Sequence, residues 1–291
     1  MTSNRDQIPS EGLIVITGAT ASGKSSLGMR LASERGFSIV SADSRQIYRG
    51  MSIGTAAPTA EDRRLVRHYF VGTKEPTESY SAFGFATDAL PVIGDEINQN
   101  GAVLVVGGSY LYIRALLYEQ ADIPPIPPEI HDSVWSLYRK EGLEPIHKLL
   151  SEKDPVYLGK VDQGNYRRLL RALEVSMATG KPFSSFHSGT KRTFPFPVTV
   201  VGVRPEREAL YRNIDLRVDR MIEDGLVDEV RTLIPYRNEN ALQTIGYKEI
   251  FRYLYGELDL KESIAIIKRN TRDFARHQIT SFKHLPTDLI L

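Results

Sequence analysis

The eight residues from Gly18 to Ser25, Gly-Ala-Thr-Ala-Ser-Gly-Lys-Ser, combine residue types and spacing that could hold a phosphate. They fit the pattern G-x-x-x-x-G-K-S, whose glycines let successive backbone N–H groups face one anion. The helix expected from Lys24 onward adds the positive end of its dipole, Lys24 adds a point charge, and the Ser25 hydroxyl can ligate Mg²⁺. The pattern predicts a di- or triphosphate site; the alternative is a glycine-rich turn that only caps a helix. The residues predicted to surround the phosphates are Gly18, Ala19, Thr20, Ala21, Ser22, Gly23, Lys24 and Ser25.

A carboxylate follows the second predicted strand, as Asp43 in the run SADSRQIY of residues 41–48. The third predicted strand ends in Gly107-Gly108-Ser109, without the acid that an ATP-hydrolysing motor normally carries there. Parallel strands meet the phosphate loop at their carboxyl edge, so we expect Asp43 close to it. Asp43 would accept a proton or ligate Mg²⁺, unless it serves only as a helix N-cap. The sequence therefore favours a group-transfer enzyme over a motor.

Short apolar, β-branched runs alternate with helical spacing in the first part of the chain. Strands that alternate with helices imply right-handed crossovers and a parallel sheet, so the predicted fold class is α/β. The runs that predict strands are residues 12–17, 37–42 and 101–106.

Four prolines between residues 123 and 128 interrupt this alternation, because they can continue neither a helix nor a central strand. An amphipathic helical pattern then extends to about residue 191, a strand is predicted at 196–203, and helical periodicity follows from residue 206. We predict three segments: residues 1–120 form the first part of the α/β core, 121–195 form an all-helical insertion, and 196–291 complete the core with a strand and mainly helices.

Composition excludes several classes of protein. The 291 residues are 41% hydrophobic and 25% charged, which is ordinary for a globular chain. No apolar run approaches the length of a membrane span, and residues 1–11 lack the apolar core of a signal peptide, so we expect a soluble, cytoplasmic protein. The absence of cysteine excludes disulfides, thiolate metal sites and a cysteine nucleophile.

Positive charge is concentrated in the middle of the chain. The net charge is only +1, yet residues 160–220 hold twelve Lys and Arg against six acids. Such a basic segment is typical of a polyanion site, although solvated helix faces give similar counts.

Six motifs occur in order along the chain: GATASGKS (18–25), SADSRQIY (41–48), GTAAPT (54–59), GGSYLY (107–112), RRLLRALEV (167–175) and IGYKE (245–249). Together they resemble the motifs of the bacterial tRNA dimethylallyltransferase (tRNA isopentenyltransferase) family. The resemblance implies a P-loop NTPase-like parallel sheet flanked by helices. It also implies transfer of a dimethylallyl group from dimethylallyl diphosphate to the exocyclic amine of the adenosine 3′ of a tRNA anticodon, with Mg²⁺ and without ATP.

The resemblance assigns roles residue by residue. Asp43 matches the base that takes the proton from the amine, and Lys24, Arg217 and Mg²⁺ on Ser25 match the cations that stabilise the leaving diphosphate. For Arg217 the residues alone favour a plainer interpretation, in which Asp215 or Asp219 pairs with it along one helix.

The remaining matches imply contacts with the tRNA anticodon stem-loop. Three arginines of residues 167–171 share adjoining helix faces; the alternative is a solvated face paired with Glu174. Arg269, Arg272 and Arg276 predict a phosphate-facing stripe near the C-terminus. The expected tRNA contacts are Asp43, Ser44, Arg45, Gln46, Ser109, His131, Arg167, Arg168, Leu169, Leu170, Arg171, Gln243, Thr244, Ile245, Gly246, Tyr247 and Lys248.

Two other functions use the same residues. An ATP-dependent small-molecule kinase would use the phosphate loop with Asp43 as the base for a substrate hydroxyl. A nucleotide-binding RNA module without transfer chemistry would need no carboxylate beside the loop. We expect the tRNA prenyltransferase, acting as a monomer.

Overall fold

The computed structural model describes residues 7–119, 123–186 and 189–291. The chain divides into two compact units, the first made of residues 1–117 and 193–291 and the second of residues 118–192. The predicted insertion of residues 121–195 overlaps the second unit almost completely, and its first two residues lie outside the described part of the chain.

A parallel sheet of six strands forms the centre of the first unit, in the order β3-β2-β4-β1-β5-β6. The central strands β1 and β4 are buried along their whole length, because helices cover both faces of a parallel sheet. Strand β1 pairs with β4 from Gly12–Ala102 to Thr17–Gly107 and with β5 from Leu13–Val198 to Gly18–Val203. The strands are β1 Gly12–Gly18, β2 Ile39–Ser41, β3 His68–Tyr69, β4 Ala102–Gly107, β5 Val198–Val203 and β6 Leu289–Ile290.

Eight helices of the described residues belong to this unit. Gly36 ends the first of them in a left-handed conformation (φ 72°), which a glycine adopts without the steric cost of a Cβ. The helices are α1 Lys24–Arg35, α2 Ala60–Leu65, α3 Ala82–Asn100, α4 Tyr110–Leu117, α9 Arg207–Glu223, α10 Leu226–Thr232, α11 Tyr247–Leu254 and α12 Leu260–Phe282.

The second unit is helical in its described residues, apart from one isolated bridge between Tyr118 and Lys191. Its own apolar core includes Val134, Ile146, Leu150 and Leu173. The helices are α5 Pro128–Glu141, α6 Glu144–Lys153, α7 Pro155–Leu158 and α8 Tyr166–Thr179, followed by a 3₁₀ turn at Phe183–Phe186.

The predicted α/β fold with a helical segment is confirmed, and the differences lie at its edges. The strand predicted at 37–42 is only Ile39–Ser41, and the strand predicted at 196–203 begins at Val198. The edge strand His68–Tyr69 was not predicted, because a two-residue, half-buried strand leaves no apolar run. None of the described helices is long and apolar enough to cross a membrane.

Candidate active site

The phosphate loop lies between β1 and α1, where the sequence places it. Gly23 precedes α1 with φ 93°, a conformation that favours glycine and lets the loop turn into the helix. A Cβ at Gly18 would lie 2.5 Å from the carbonyl oxygen of Val203, so only glycine fits beside β5. The Lys24 ammonium is buried and donates to the carbonyl of Ala19 at 3.1 Å, which folds the side chain back over the loop.

A cavity of about 380 Å³ opens above this loop. Thr20, Lys24 and Ser25 line one side, and Asp43 to Gln46 line another. The carboxyl end of β4, residues 54–55 and residues 243–246 also line the cavity, and α9 and α12 supply much of the remaining wall. Because the carboxyl ends of β1, β2 and β4 meet at this edge, residues distant in sequence are brought together.

Two cations and one carboxylate face each other across the cavity. Burial first, and the charge of Arg217 second, lower the pKa of Lys24 to about 8, while Asp43 opposes the shift. Burial also lowers the pKa of Arg217, again opposed by Asp43. Two neighbouring cations that are only partly neutralised by one carboxylate form a site for a multiply charged anion.

Arg217 is free to serve this cavity because the acids beside it are engaged elsewhere. Asp215 pairs with Arg272 at 2.5 Å and Asp219 with Lys268 at 2.6 Å, both across to α12. The intrahelical pairing considered for Arg217 is therefore wrong. The Arg217 guanidinium donates instead to the carbonyl oxygen of Thr55 at 3.1 Å.

Asp43 has one oxygen engaged and one open. Its Oδ1 accepts from the backbone N–H of Arg45 at 2.9 Å and of Gln46 at 3.3 Å, which caps the turn after β2. Its Oδ2 accepts no hydrogen bond from the residues that the structure describes. The capping role considered for Asp43 thus occupies one oxygen, and the carboxylate still lines the cavity.

The residues after Asp43 are fixed by contacts within the protein. Ser109 Oγ accepts from the Ser44 amide at 2.9 Å and joins β4 to this turn. Arg45 donates to the carbonyls of Asn240 and Ala241 at 2.8 and 3.2 Å. Ser44, Arg45, Gln46 and Ser109 line the cavity, but the side-chain groups of Arg45 and Gln46 already have partners.

Gln278 is a site residue that the sequence did not single out. Its Oε1 accepts from the phosphate-loop amide of Thr20 at 2.8 Å, and its Nε2 donates to the carbonyl of Gly108 at 2.8 Å. The side chain lies 258 residues from Thr20, so helical periodicity could identify only a buried position on α12.

The segment 243–248 divides into exposed and buried residues. Gln243 and Lys248 are exposed, and Thr244 and Ile245 are half-buried. Gly246 is buried, and the Tyr247 ring is fully buried with its hydroxyl donating to Glu229 at 2.7 Å. The Tyr247 side chain is fully buried in the free protein, and the expected tRNA contact of this residue stays a prediction.

The second unit shows the same division on α8. Leu169 and Leu170 are buried in its apolar core, so their side chains pack inward, and their expected tRNA contacts stay a prediction. Arg171 lies 3.6 Å from the buried carboxylate of Glu174, as the plainer interpretation held. Arg167 and Arg168 have no carboxylate within 4.0 Å among the described residues.

His131 shares that carboxylate. Its Nδ1 lies 2.8 Å from Glu174 Oε1, which also accepts from the indole of Trp135 at 3.1 Å. The imidazole is half exposed, and the contact holds it on the surface of α5. His131 is thus positioned from within its own unit.

The predicted stripe on α12 is reduced to one arginine. Arg272 pairs with Asp215, and Arg276 pairs with Asp273 one turn away. Arg269 alone has no ion pair within the part of the chain described here. One interhelical and one intrahelical ion pair thus engage two arginines that periodicity assigns to solvent.

The residues present fit a magnesium ion held together with a phosphorylated substrate. Ser25 is exposed to the cavity, and its hydroxyl has no hydrogen bond to the described residues. No group of three or more His, Asp or Glu among those residues could hold a metal without such a substrate. Mg²⁺ typically takes one or two protein ligands, several waters and substrate phosphates, which this donor set allows.

A parallel sheet with this loop at its carboxyl edge is typical of the class of phosphate-loop, NTPase-like α/β proteins. A model of the IPP transferase family matches residues 46–285. The chain belongs to this family.

Individual relatives agree over nearly the whole chain. The tRNA dimethylallyltransferase 2 of Parabacteroides distasonis is 42% identical over 94% of this chain and 92% of its own. The tRNA dimethylallyltransferase of Cytophaga hutchinsonii is 42% identical over 93% of this chain and 89% of its own.

Solved structures support the same assignment. The tRNA isopentenylpyrophosphate transferase of Bacillus halodurans matches 97% of this chain and 89% of its own, with a TM-score of 0.68 and 34% identity. A eukaryotic dimethylallyltransferase acting on tRNA matches 94% of this chain and 70% of its own, with a TM-score of 0.81 and 27% identity. The resemblance stated from the motifs is confirmed, and none of these relatives supports the kinase alternative.

Proposed function

We propose that the protein transfers a dimethylallyl group from dimethylallyl diphosphate to the exocyclic amine of the adenosine 3′ of a tRNA anticodon, releasing diphosphate. The observation that carries the proposal is the convergence of Lys24, Arg217 and Asp43 on one cavity above the phosphate loop. The family membership and the printed names of the relatives support the choice of tRNA as acceptor.

The donor would bind through its diphosphate. Backbone N–H groups at the start of α1 and the two cations of the cavity offer the donors that a diphosphate requires. As the bond between the allylic carbon and oxygen breaks, negative charge grows on the diphosphate. Lys24 and Arg217 are already in place to stabilise it, and one preorganised donor of this kind contributes about 10²–10³ in rate.

The acceptor amine would lose its proton to Asp43. Its lone pair is delocalised into the adenine ring, so the amine attacks well only if a base removes the proton as the C–N bond forms. The open Oδ2 of Asp43 suits this role, since Oδ1 is held by the turn. The nucleotide must be extruded from its stack to enter the cavity.

Mg²⁺ bound by Ser25 and the diphosphate would neutralise part of the leaving group's charge. Ser25 provides the hydroxyl ligand, Lys24 and Arg217 remain the protein's own cations, and Asp43 keeps its place across the cavity. The requirement for the ion is tested by removing it with a chelator, which should abolish transfer and leave tRNA binding intact.

The helical unit would contact the anticodon stem-loop through Arg167 and Arg168. These are the arginines of its 167–171 cluster without an acidic partner among the described residues. We also propose that the protein acts as a monomer, which light scattering with and without tRNA checks.

The test is incubation with unmodified tRNA, Mg²⁺ and radiolabelled dimethylallyl diphosphate, with and without ATP. We expect label in the tRNA without ATP, and none when the target adenosine is replaced by guanosine, which carries no exocyclic amine at that ring position. Label that depends on ATP, or phosphate transfer from ATP to a small hydroxyl compound, would instead identify a kinase.

A further inference from the structure

The carboxylate of Glu229, on α10, lies outside the cavity and binds a segment that reaches into it. Its Oε2 accepts from the amides of Ser52 and Ile53 at 2.9 and 2.7 Å, and its Oε1 accepts from the amide of Gly54 at 3.0 Å. Three consecutive N–H groups that converge on one carboxylate form an anion-binding turn whose anion is supplied by the protein. The segment 52–55 is thereby fixed to α10.

Tyr247 completes this contact from a third element. Its hydroxyl donates to Glu229 Oε1 at 2.7 Å, and its ring packs against Gly54, where a Cβ would lie 2.5 Å from the ring. Burial first, and the Glu229 charge second, raise the pKa of Tyr247, so the hydroxyl stays protonated and remains a donor. Glu229 and Tyr247 therefore hold the segment from two sides.

The held segment presents one backbone carbonyl to the cavity. The oxygen of Thr55 accepts from the Arg217 guanidinium at 3.1 Å and from Gln46 Nε2 at 3.2 Å. Arg217 makes no other hydrogen bond or ion pair with the described residues, so this carbonyl is what orients it there. A displacement of Thr55 would release the guanidinium.

We infer that Glu229 is a positioning residue for the transfer reaction: it fixes the turn at 52–54 so that the Thr55 carbonyl aims Arg217 at the leaving diphosphate. The inference rests on the proposed function for its chemistry, but its geometric part concerns any diphosphate bound in the cavity. Glu229 contacts neither substrate, so its effect must pass through Arg217.

A double-mutant cycle separates this role from general stabilisation of the fold. Glu229→Gln keeps the size of the side chain and replaces one acceptor oxygen by an amide that faces backbone donors. In the wild-type background we expect the transfer rate at saturating substrates to fall about tenfold; in an Arg217→Ala background the same change should cost less than about twofold. Equal losses in both backgrounds would overturn the inference.

Two further variants and a melting curve serve as controls for this cycle. Glu223→Gln removes an exposed charge from α9 and should leave the rate unchanged. Tyr247→Phe keeps the ring and removes one hydrogen bond; it should give a smaller loss that also disappears in the Arg217→Ala background. If Glu229→Gln does not fold, as judged by its melting curve, the Tyr247→Phe cycle decides the question.

Pyrophosphate binding by calorimetry distinguishes failure of this inference from failure of the proposed function. We expect Glu229→Gln to weaken pyrophosphate binding when it is the only change. In the Arg217→Ala background the same change should have no effect on pyrophosphate binding. If that pattern holds while no tRNA is labelled, the prenyl transfer is wrong and the role of Glu229 stands. If pyrophosphate binds equally to wild type and Glu229→Gln, the role of Glu229 is wrong whatever the transfer assay gives.

Discussion

At the scale of single residues, the site is defined by a lysine whose charge is costly without its ligand. Lys24 is buried beside Arg217, and its pKa is lowered to about 8 by burial first and by that neighbouring charge second. Near pH 8 a substantial fraction of the free protein therefore carries neutral Lys24. A bound diphosphate would favour the charged form, so binding and protonation are linked.

This linkage predicts proton uptake on donor binding. At pH 8.5, above the pKa of free Lys24, dimethylallyl diphosphate should bind together with a fraction of a proton, and its affinity should decrease as the pH rises from about 8. Calorimetry in buffers of different ionisation enthalpy measures the uptake. Lys24→Met should remove it, and an uptake unchanged in that variant would assign the proton to another group.

The same scale shows which residues a sequence can reveal. The phosphate loop was predictable because its chemistry is local, with spacing and conformation set by eight consecutive residues. The sequence did not separate Arg217 from a solvated arginine in an acid-rich helical segment. The acids on either side of it pair with Arg272 and Lys268 of another helix, and only the fold reveals that.

At the scale of elements, helix α8 combines packing and recognition on opposite faces. Leu169 and Leu170 pack inward, Arg171 is partnered by Glu174, and Arg167 and Arg168 are left for an anion. Helical spacing predicts that these faces differ. The same spacing allows Arg171 to pair with Glu174 three residues on, and the structure contains this pair.

The division of α8 gives a graded prediction for tRNA binding. Replacing both Arg167 and Arg168 with Ala should reduce the slope of log K against log salt by about 0.7–0.9 per lost phosphate contact. Arg171→Ala should change it less, because Glu174 already partners that guanidinium. Filter binding across a salt series measures the slopes, with Arg30→Ala on α1 as a control for loss of one charge. Equal slopes for all variants would show that the arginines of α8 form a solvated face and do not contact tRNA.

At the scale of the whole molecule, the fold was largely predictable from the sequence, but the long-range hydrogen bonds that fix the site were not. Alternating buried runs and helices specify a parallel sheet, whose carboxyl edge must then hold the phosphate loop and Asp43. The residues that fix this edge, among them Gln278 and Glu229, act over 258 and 177 residues of sequence. Contacts between residues so far apart in sequence leave no periodic pattern, so only the folded structure reveals them.

The central claim is that Asp43 removes the proton from the acceptor amine beside a donor held by the phosphate loop. The most direct test is single-turnover transfer to tRNA by Asp43→Asn, measured by rapid quench beside the wild type. The amide oxygen of the variant can still accept from the amides of Arg45 and Gln46, so the turn is kept while the basicity and the charge of the carboxylate are lost. We predict a rate about 10²–10⁴ lower, with tRNA and pyrophosphate binding retained. A rate equal to that of the wild type would contradict the account.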